Sequence, residues 1–359
     1  MKLLIQPGDG PEALLAGIRN AKKSIEIAIF RFDRAEIEAG LKAAVGRGVA
    51  VSALIAYTNR GGEINLRKLE MRLLAVGVAV SRTADDLVRY HDKLMIVDRR
   101  LLYVLSFNFT HLDIDHSRGF GIVTRNTQLI QEAVKLFEAD TTRNPYTPGL
   151  DTFVVSPANA RKVLGAFIRK AKKQLLIYDP KIADVEMLRA LSERVKAGVE
   201  VKIIGQVGKQ NPGLEVRNLA KLRLHTRTII RDRREASVGS QSLRTAELDS
   251  RREVGVIVRE PKVVEALIKT FEADWAASAA PENPQSEANL KDIRKAVKDL
   301  VKELSPLSPI VEEALKDAAS ETGSASLNPQ EMKATVKEAV KEAVRERVDE
   351  VMKESMEES

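Results

Sequence analysis

Cysteine is missing from all 359 residues, which excludes disulfides and thiolate metal sites and leaves the fold to packing alone. Aromatic residues make up only 4%, with a single tryptophan, so base stacking is a weak expectation for any nucleic-acid recognition. No run of 18 apolar residues occurs, and MKLLIQPGDG is apolar for only three residues before Gln6 and Pro7. Neither a spanning helix nor a signal-peptide core is therefore expected, and the expected location is cytoplasmic. Histidine is scarce too: the chain has four, at 91, 111, 116 and 225.

What is present is a globular composition, 44% hydrophobic, in a chain long enough for two or three domains. The net charge of +7 is unevenly spread. Residues 278–359 carry 12 Lys+Arg against 18 Asp+Glu, a balance of −6, which leaves +13 on residues 1–277. A basic body favours an anionic partner such as a phosphorylated small molecule, nucleic acid or the surface of an anionic membrane; solubility alone is the plainer reading.

The body is a duplication. IRNAKKSIEI (18–27) matches IRKAKKQLLI (168–177), and Gly48 matches Gly198, at an offset of 150. His91 matches His225, Asp98 matches Asp232, Gly121 matches Gly255, and FEAD (137–140) matches FEAD (271–274), at an offset of 134. Each copy alternates amphipathic helices with apolar strands, predicting α/β units with a largely parallel, buried sheet. Gly48 and Gly198 fall where a helix should end, and TTRNPYTPGLD (141–151) is the natural boundary between copies. Beyond Trp275, expected to be core packing, a polar spacer leads to two amphipathic helices whose apolar faces suit the main body or a second copy of the chain.

Two histidines fall at equivalent places, in HDKLMIVD (91–98) and HTRTIIRD (225–232), giving H-x-[K/R]-x4-D twice. On a strand, residues i and i+2 share a face, so His91 projects with Lys93, and His225 with Arg227. Copies packed about a pseudo-two-fold axis would bring both imidazoles and both cations to one cleft, an arrangement suited to a phosphodiester. The cations would hold the non-bridging oxygens, one histidine would attack phosphorus, and the other would give its proton to the leaving alkoxide; the scheme requires no metal or other cofactor. Ser106 and Asn108 in one copy, and Ser240 and Ser242 in the other, could add hydrogen bonds to phosphate. Glu253 is a carboxylate that could fix one histidine's tautomer, while its counterpart is Gly119. Asp98 and Asp232 end their strands at turn-like sequences, so a turn role competes with a catalytic one. His111 and His116 are expected to be exposed, and Asp113 or Asp115 is a conceivable substitute for the missing carboxylate. The D-x-D they form is too sparse for a metal site.

The duplicated motif, followed by SFNFT and RGFGIVT, resembles the phospholipase D superfamily, and the first copy is most similar to its cardiolipin-synthase-like bacterial branch. The resemblance covers roughly residues 10–277. It implies an α/β fold of two tandem α/β/α sandwich domains with mostly parallel sheets related by a pseudo-two-fold axis, here with a helical C-terminal tail; the corresponding divisions are 1–146, 147–277 and 278–359. It also implies metal-independent hydrolysis or transfer on a phosphodiester through a phosphohistidine, with His91 as nucleophile, His225 as acid and base, and Lys93 and Arg227 on phosphate. Phospholipid is the favoured substrate, nucleic acid the alternative; a peripheral contact with an anionic membrane and a homo-oligomer built through the tail are further expectations. Four departures count against full activity: Arg227 for lysine, Ser242 for asparagine, Leu105 for the glycine of G-S-x-N, and Gly119 for the acid. A non-enzymatic phosphate-binding protein is the competing reading.

Overall fold

The computed structural model describes residues 1–57, 63–208, 213–219 and 221–278. The tail expected over 278–359, with its two amphipathic helices and the oligomer they suggest, lies outside the described residues from 279 onward. The described residues form one compact unit.

The first copy runs β1 (Lys2–Gln6), α1 (Glu12–Asn20), β2 (Ser24–Ala28), α2 (Ala35–Gly46), β3 (Ala50–Ile55), α3 (Glu63–Ala75), β4 (Ala79–Arg82), β5 (Arg89–Tyr90), β6 (Leu94–Val97), β7 (Leu101–Leu105), α4 (His111–Asp115), β8 (Ser117–Thr124) and α5 (Thr127–Thr142). The second runs β9 (Phe153–Ser156), α6 (Ala160–Arg169), β10 (Gln174–Ile182), α7 (Val185–Lys196), β11 (Glu200–Val207), β12 (Glu215–Arg217), β13 (Arg223–Leu224), β14 (Arg227–Arg231), β15 (Glu235–Gly239), α8 (Thr245–Asp249), β16 (Arg251–Val258) and α9 (Pro261–Ala277). Most of the first copy's extra length is α3, which has no counterpart among the described residues of the second. Gly48 and Gly198 stand at φ +83° and +82° just past α2 and α7, the left-handed turn that glycine adopts without a Cβ penalty.

Each copy builds one sheet, ordered β1-β8-β7-β6-β2-β3-β4 and, with β9 also pairing β16, β12-β11-β10-β14-β15-β16. The parallel arrangement expected for most of each sheet is found on one side of it, β2-β3-β4 and β10-β11-β12. The other side is antiparallel. The reason is connection length: helices lead from β2 to β3 and from β10 to β11, whereas β6–β7 and β14–β15 are hairpins closed by short turns. Helices α1, α2 and α3 cover the outer face of the first sheet, and α6 and α7 that of the second. The inner faces of both sheets share a single core with α5 and α9, centred on residues such as Phe120, Phe153, Tyr178 and Phe271. Trp275 packs at its margin, stacked on Phe271 and covered by the Arg217 guanidinium 4.3 Å from its ring centre.

The copies also exchange strands. β5, directly before His91, pairs with β16 of the second sheet, and β13, directly before His225, pairs with β8 of the first. These reciprocal exchanges express the pseudo-two-fold relation in the backbone itself.

Candidate active site

HDKLMIVD does not form one strand. His91, Asp92 and Lys93 are the extended link between β5 and β6, while His225 and Thr226 link β13 to β14. Because β5 and β13 sit in the opposite sheets, each histidine is anchored by the other copy. The His91 N–H donates to the Arg252 carbonyl (2.8 Å), and the His225 N–H donates to the Arg118 carbonyl (3.1 Å).

Those two arginines explain the repeated FEAD. Arg252 makes a two-pronged pair with Asp140 (2.9 and 3.0 Å), and Arg118 makes one with Asp274 (2.7 and 2.9 Å). Each pair joins one copy's β8 or β16 to the other copy's closing helix, and each arginine also donates to the carbonyl of Ser156 or Gln6. A buried charge must be paired and hydrogen-bonded, and the motif's aspartate meets that need across the lobe boundary.

The two imidazoles are buried, 8% and 7% exposed, and Lys93 and Glu253 are wholly so. Glu253 lies in the second copy yet faces His91: its carboxylate oxygens are 2.9 and 3.0 Å from Nδ1. Lys93 Nζ donates to the His91 carbonyl (2.7 Å) and lies 3.2 Å from both ring nitrogens, and Arg227 Nη1 donates to the His225 carbonyl at 2.5 Å. Electrostatically the two half-sites are one. Burial first, then Lys93 and Arg227, hold His91 well below the ordinary imidazole value; burial, Arg227 and Lys93 do the same to His225. Burial also lowers Lys93 to about 8 against the opposing pull of Glu253, and raises Glu253 above the usual carboxylate range. In such a site Nδ1–H of His91 donates to Glu253, leaving Nε2 with its lone pair.

His225 has no such carboxylate at position 119, where the Phe107 ring lies 3.0 Å from where a Cβ would stand. Its neighbour is Asp113, with Oδ2 3.6 Å from Nδ1 and hydrogen-bonded at 2.7 Å by the Asn108 amide group and backbone N–H. Asp113 thus faces the His225 ring, but beyond hydrogen-bonding distance of Nδ1. Asp115 instead pairs with Arg34 and exposed His111, and His116 is also exposed.

Several expected site residues serve the fold. The Asp98 carboxylate accepts from the backbone N–H groups of Lys22, Lys23 and Ser24, and Asp232 from those of Lys172, Lys173 and Gln174. Both stand at φ near +50° in the hairpin turns that end β6 and β14, so they are turn clamps rather than part of the cluster. Ser106 Oγ accepts from the Phe120 N–H and Ser240 Oγ bonds the Val254 backbone, each tying β7 or β15 to the neighbouring strand. Asn108 Oδ1 accepts from the Arg31 N–H.

The second copy rebuilds that last arrangement with an acid the sequence reading missed. Asp179, where the first copy has Ile29, accepts from the Lys181 N–H (2.9 Å), the Leu243 N–H (2.7 Å) and the Ser242 hydroxyl (2.6 Å). Lys181 is the counterpart of Arg31, so a carboxylate from β10 does the work of the Asn108 side chain, and Ser242 is short because Asp179 occupies the space. Asp179 and Arg227 line one small cavity, and the arginine offsets part of the burial that raises the acid's pKa.

Arginines two residues before each histidine were also missed. Arg89 and Arg223 make the pattern R-x-H-x-[K/R] in both copies, visible as RYHDK and RLHTR. Among the described residues no group of three or more histidines and carboxylates is placed to hold a metal ion, and no described helix is long and apolar enough to cross a membrane.

The family described as "Cardiolipin synthase, PLD-like domain" matches residues 14–141 and 164–275. The mitochondrial cardiolipin hydrolase of Danio rerio is 30% identical over 139 residues, 36% of this chain and 58% of that protein. Among solved structures, the phosphatidylserine synthase of Haemophilus influenzae Rd KW20 superposes with a TM-score of 0.63 at 12% identity, over 85% of this chain and 92% of that one. The polyphosphate kinase of Porphyromonas gingivalis does so with a TM-score of 0.64 at 19% identity, over 76% of this chain and 50% of that one. At these identities the likeness is one of fold, and the chain spans only a little over half of the zebrafish protein and half of the kinase.

Proposed function

Since the chain belongs to the cardiolipin synthase PLD-like domain family, we propose that it is a phosphodiesterase working through a phosphohistidine, without a metal or other cofactor. The observation that carries the proposal is the joining of His91, Lys93, His225 and Arg227 across the lobe boundary, with Glu253 on His91 Nδ1. Lys93 and Arg227 hold the non-bridging oxygens. Nε2 of His91 attacks phosphorus and forms an N–P bond as the P–O bond to the leaving group breaks, and His225 gives that oxygen its proton. Water or an alcohol then attacks the phosphohistidine, loses its proton to His225, and the N–P bond breaks. His225 must be protonated for the first step, which its surroundings oppose in the free protein. A bound phosphodiester anion supplies the negative charge that reverses this, and Asp113 lies on the far side of the ring.

Phospholipid headgroup hydrolysis or transphosphatidylation is the favoured activity, in keeping with the hydrolase named for the zebrafish relative. A peripheral approach to an anionic membrane and a cytoplasmic location fit this reading through the basic body. A nuclease activity of the same superfamily is the second reading, favoured by the arginines that surround the histidine pair. Hydrolysis of a generic chromogenic phosphodiester in excess chelator, by wild type and His91→Ala prepared in parallel, tests the proposal. Chelator-resistant turnover that vanishes in the variant is expected. Turnover equal in both, or absent from both, would leave a phosphate-binding protein.

A further inference from the structure

Arg89, His91 and Lys93 alternate along an extended segment and so share a face, as do Arg223, His225 and Arg227. The two leading arginines have different fates. Arg223 is tied to Asp113, and its Nε donates to Ser117 Oγ at 3.0 Å. The acid equivalent to Asp113 in the second copy, Glu247, is already held by Arg244 and Arg251. Arg89 is consequently left, among the described residues, with no ion pair and no side-chain hydrogen bond, although it is only partly exposed.

What Arg89 has instead is the face of Phe30, whose ring centre lies 5.1 Å from its guanidinium carbon. Arg31 lies over the same ring at 5.7 Å and likewise has no ion pair among the described residues. The Phe30 ring stands edge-on to His91, with centres 4.8 Å apart. Two guanidinium groups with no ion-pair partner among the described residues are therefore held on an aromatic platform in contact with the proposed nucleophile. Burial first, then Arg251 and Arg31, lower the Arg89 guanidinium, while Glu253 and Glu247 pull the other way without bonding to it. Like charges gathered with no acid bonded to either are stable together when an anion lies between them, and arginine's planar fork suits phosphate oxygens. The second copy has Pro180 and Lys181 at the corresponding positions, so the platform exists on one side only.

We propose that Arg31 and Arg89, held on Phe30, form a second phosphate subsite beside the histidine pair, and that the substrate carries a second phosphate next to the diester that is cleaved. This rests on the phosphodiesterase reading above. Two sources share that chemistry, a nucleotide chain and a glycerol that bridges two phosphates, and the test separates them.

The test compares kcat/KM within two substrate pairs: a thymidine dinucleotide with and without a 5′-phosphate, and a glycerol phosphodiester with and without a second phosphodiester. Wild type is expected to prefer the doubly phosphorylated member of one pair, which identifies the source. Arg31→Gln and Arg89→Gln are each expected to cut that preference about tenfold, as loss of a charge-assisted hydrogen bond does. A merely structural loss would lower both members alike and leave the ratio intact. Absence of all turnover would refute the phosphodiesterase reading but not the subsite, which is then read by calorimetry as tighter binding of methylenediphosphonate than of inorganic phosphate, a difference lost in Arg89→Gln. Wild type showing no preference within either pair, or binding the two ions equally, overturns the proposal.

Discussion

Replacing Asp140 with asparagine strikes a pair that joins the two copies and, through one backbone carbonyl, holds the nucleophile proposed above. Asp140 and the Arg252 guanidinium meet through two hydrogen bonds, and their side chains are only 2% and 9% exposed. Removing one partner of a buried pair leaves an uncompensated charge and costs about 3–5 kcal/mol. Asparagine retains one acceptor for Arg252, so the low end, about 3 kcal/mol, is the expected loss. For a body of this size that corresponds to a fall in Tm of roughly 6–12 °C. The assay is thermal unfolding of Asp140→Asn, Arg252→Gln and the double variant, with turnover measured on the same samples at 20 °C. The double variant should lose well under the sum of the single losses, because the two residues act as one unit. Turnover should fall in Asp140→Asn while the protein is still folded, because the Arg252 carbonyl anchors the His91 N–H. Single losses that add within about 0.5 kcal/mol would refute the pairing as the source of the effect. Full turnover in a destabilised Asp140→Asn would refute its role in placing His91.

Three more outcomes follow from the site. Asp98→Asn and Asp232→Asn should each destabilise by about 2 kcal/mol, since each carboxylate accepts from three backbone N–H groups, yet leave KM unchanged; a large rise in KM would return these residues to the site. Arg227→Lys alone should impair turnover, because the arginine shares a small cavity with Asp179, which in turn holds Ser242, and adding Asp179→Ile with Ser242→Asn, which recreates the first copy's set, should restore part of it; no recovery would mean the two halves are not independently rebuilt. Because folding holds both histidines below the ordinary imidazole value, the unfolded chain takes up their protons first as pH falls. Stability is therefore full above pH 6.5 and declines from there toward the lower folded-state values. Tm should drop between pH 7 and 5.5 more in wild type than in His225→Gln, and equal drops would contradict the assignment.

The duplication and the paired histidines with their cations were legible in the sequence because each is a local pattern repeated at a fixed offset; Glu253 was legible only as a carboxylate eleven residues after Ser242, since Gly119 stands at its offset. Contacts made across the two copies were not. FEAD is plainly repeated, yet nothing local shows that its aspartate reaches an arginine on the opposite sheet. Nor does any local signal assign Glu253 to the histidine of the other copy, which follows from the exchange of β5 and β13. Asp179 escaped notice because it stands where the first copy has isoleucine, so comparing the copies hid it. For Asp98 and Asp232 the motif suggested a catalytic role and the turn-like sequence a structural one, and their positive φ and three backbone donors make them turn clamps. The antiparallel side of each sheet was less legible for a simpler reason: alternating helices and strands describe only the half that has crossovers.

The most direct test of a histidine nucleophile is to trap the intermediate. His225→Ala is mixed with a chromogenic diaryl phosphodiester, whose good leaving group needs no proton, then quenched in alkali and digested for mass spectrometry. The account predicts an aryl-phosphoryl adduct on the peptide that contains His91, removed by acid and missing when His91→Ala is added to the same chain. An adduct on His225 in a His91→Ala protein, or wild-type turnover with no adduct in either variant, would contradict it.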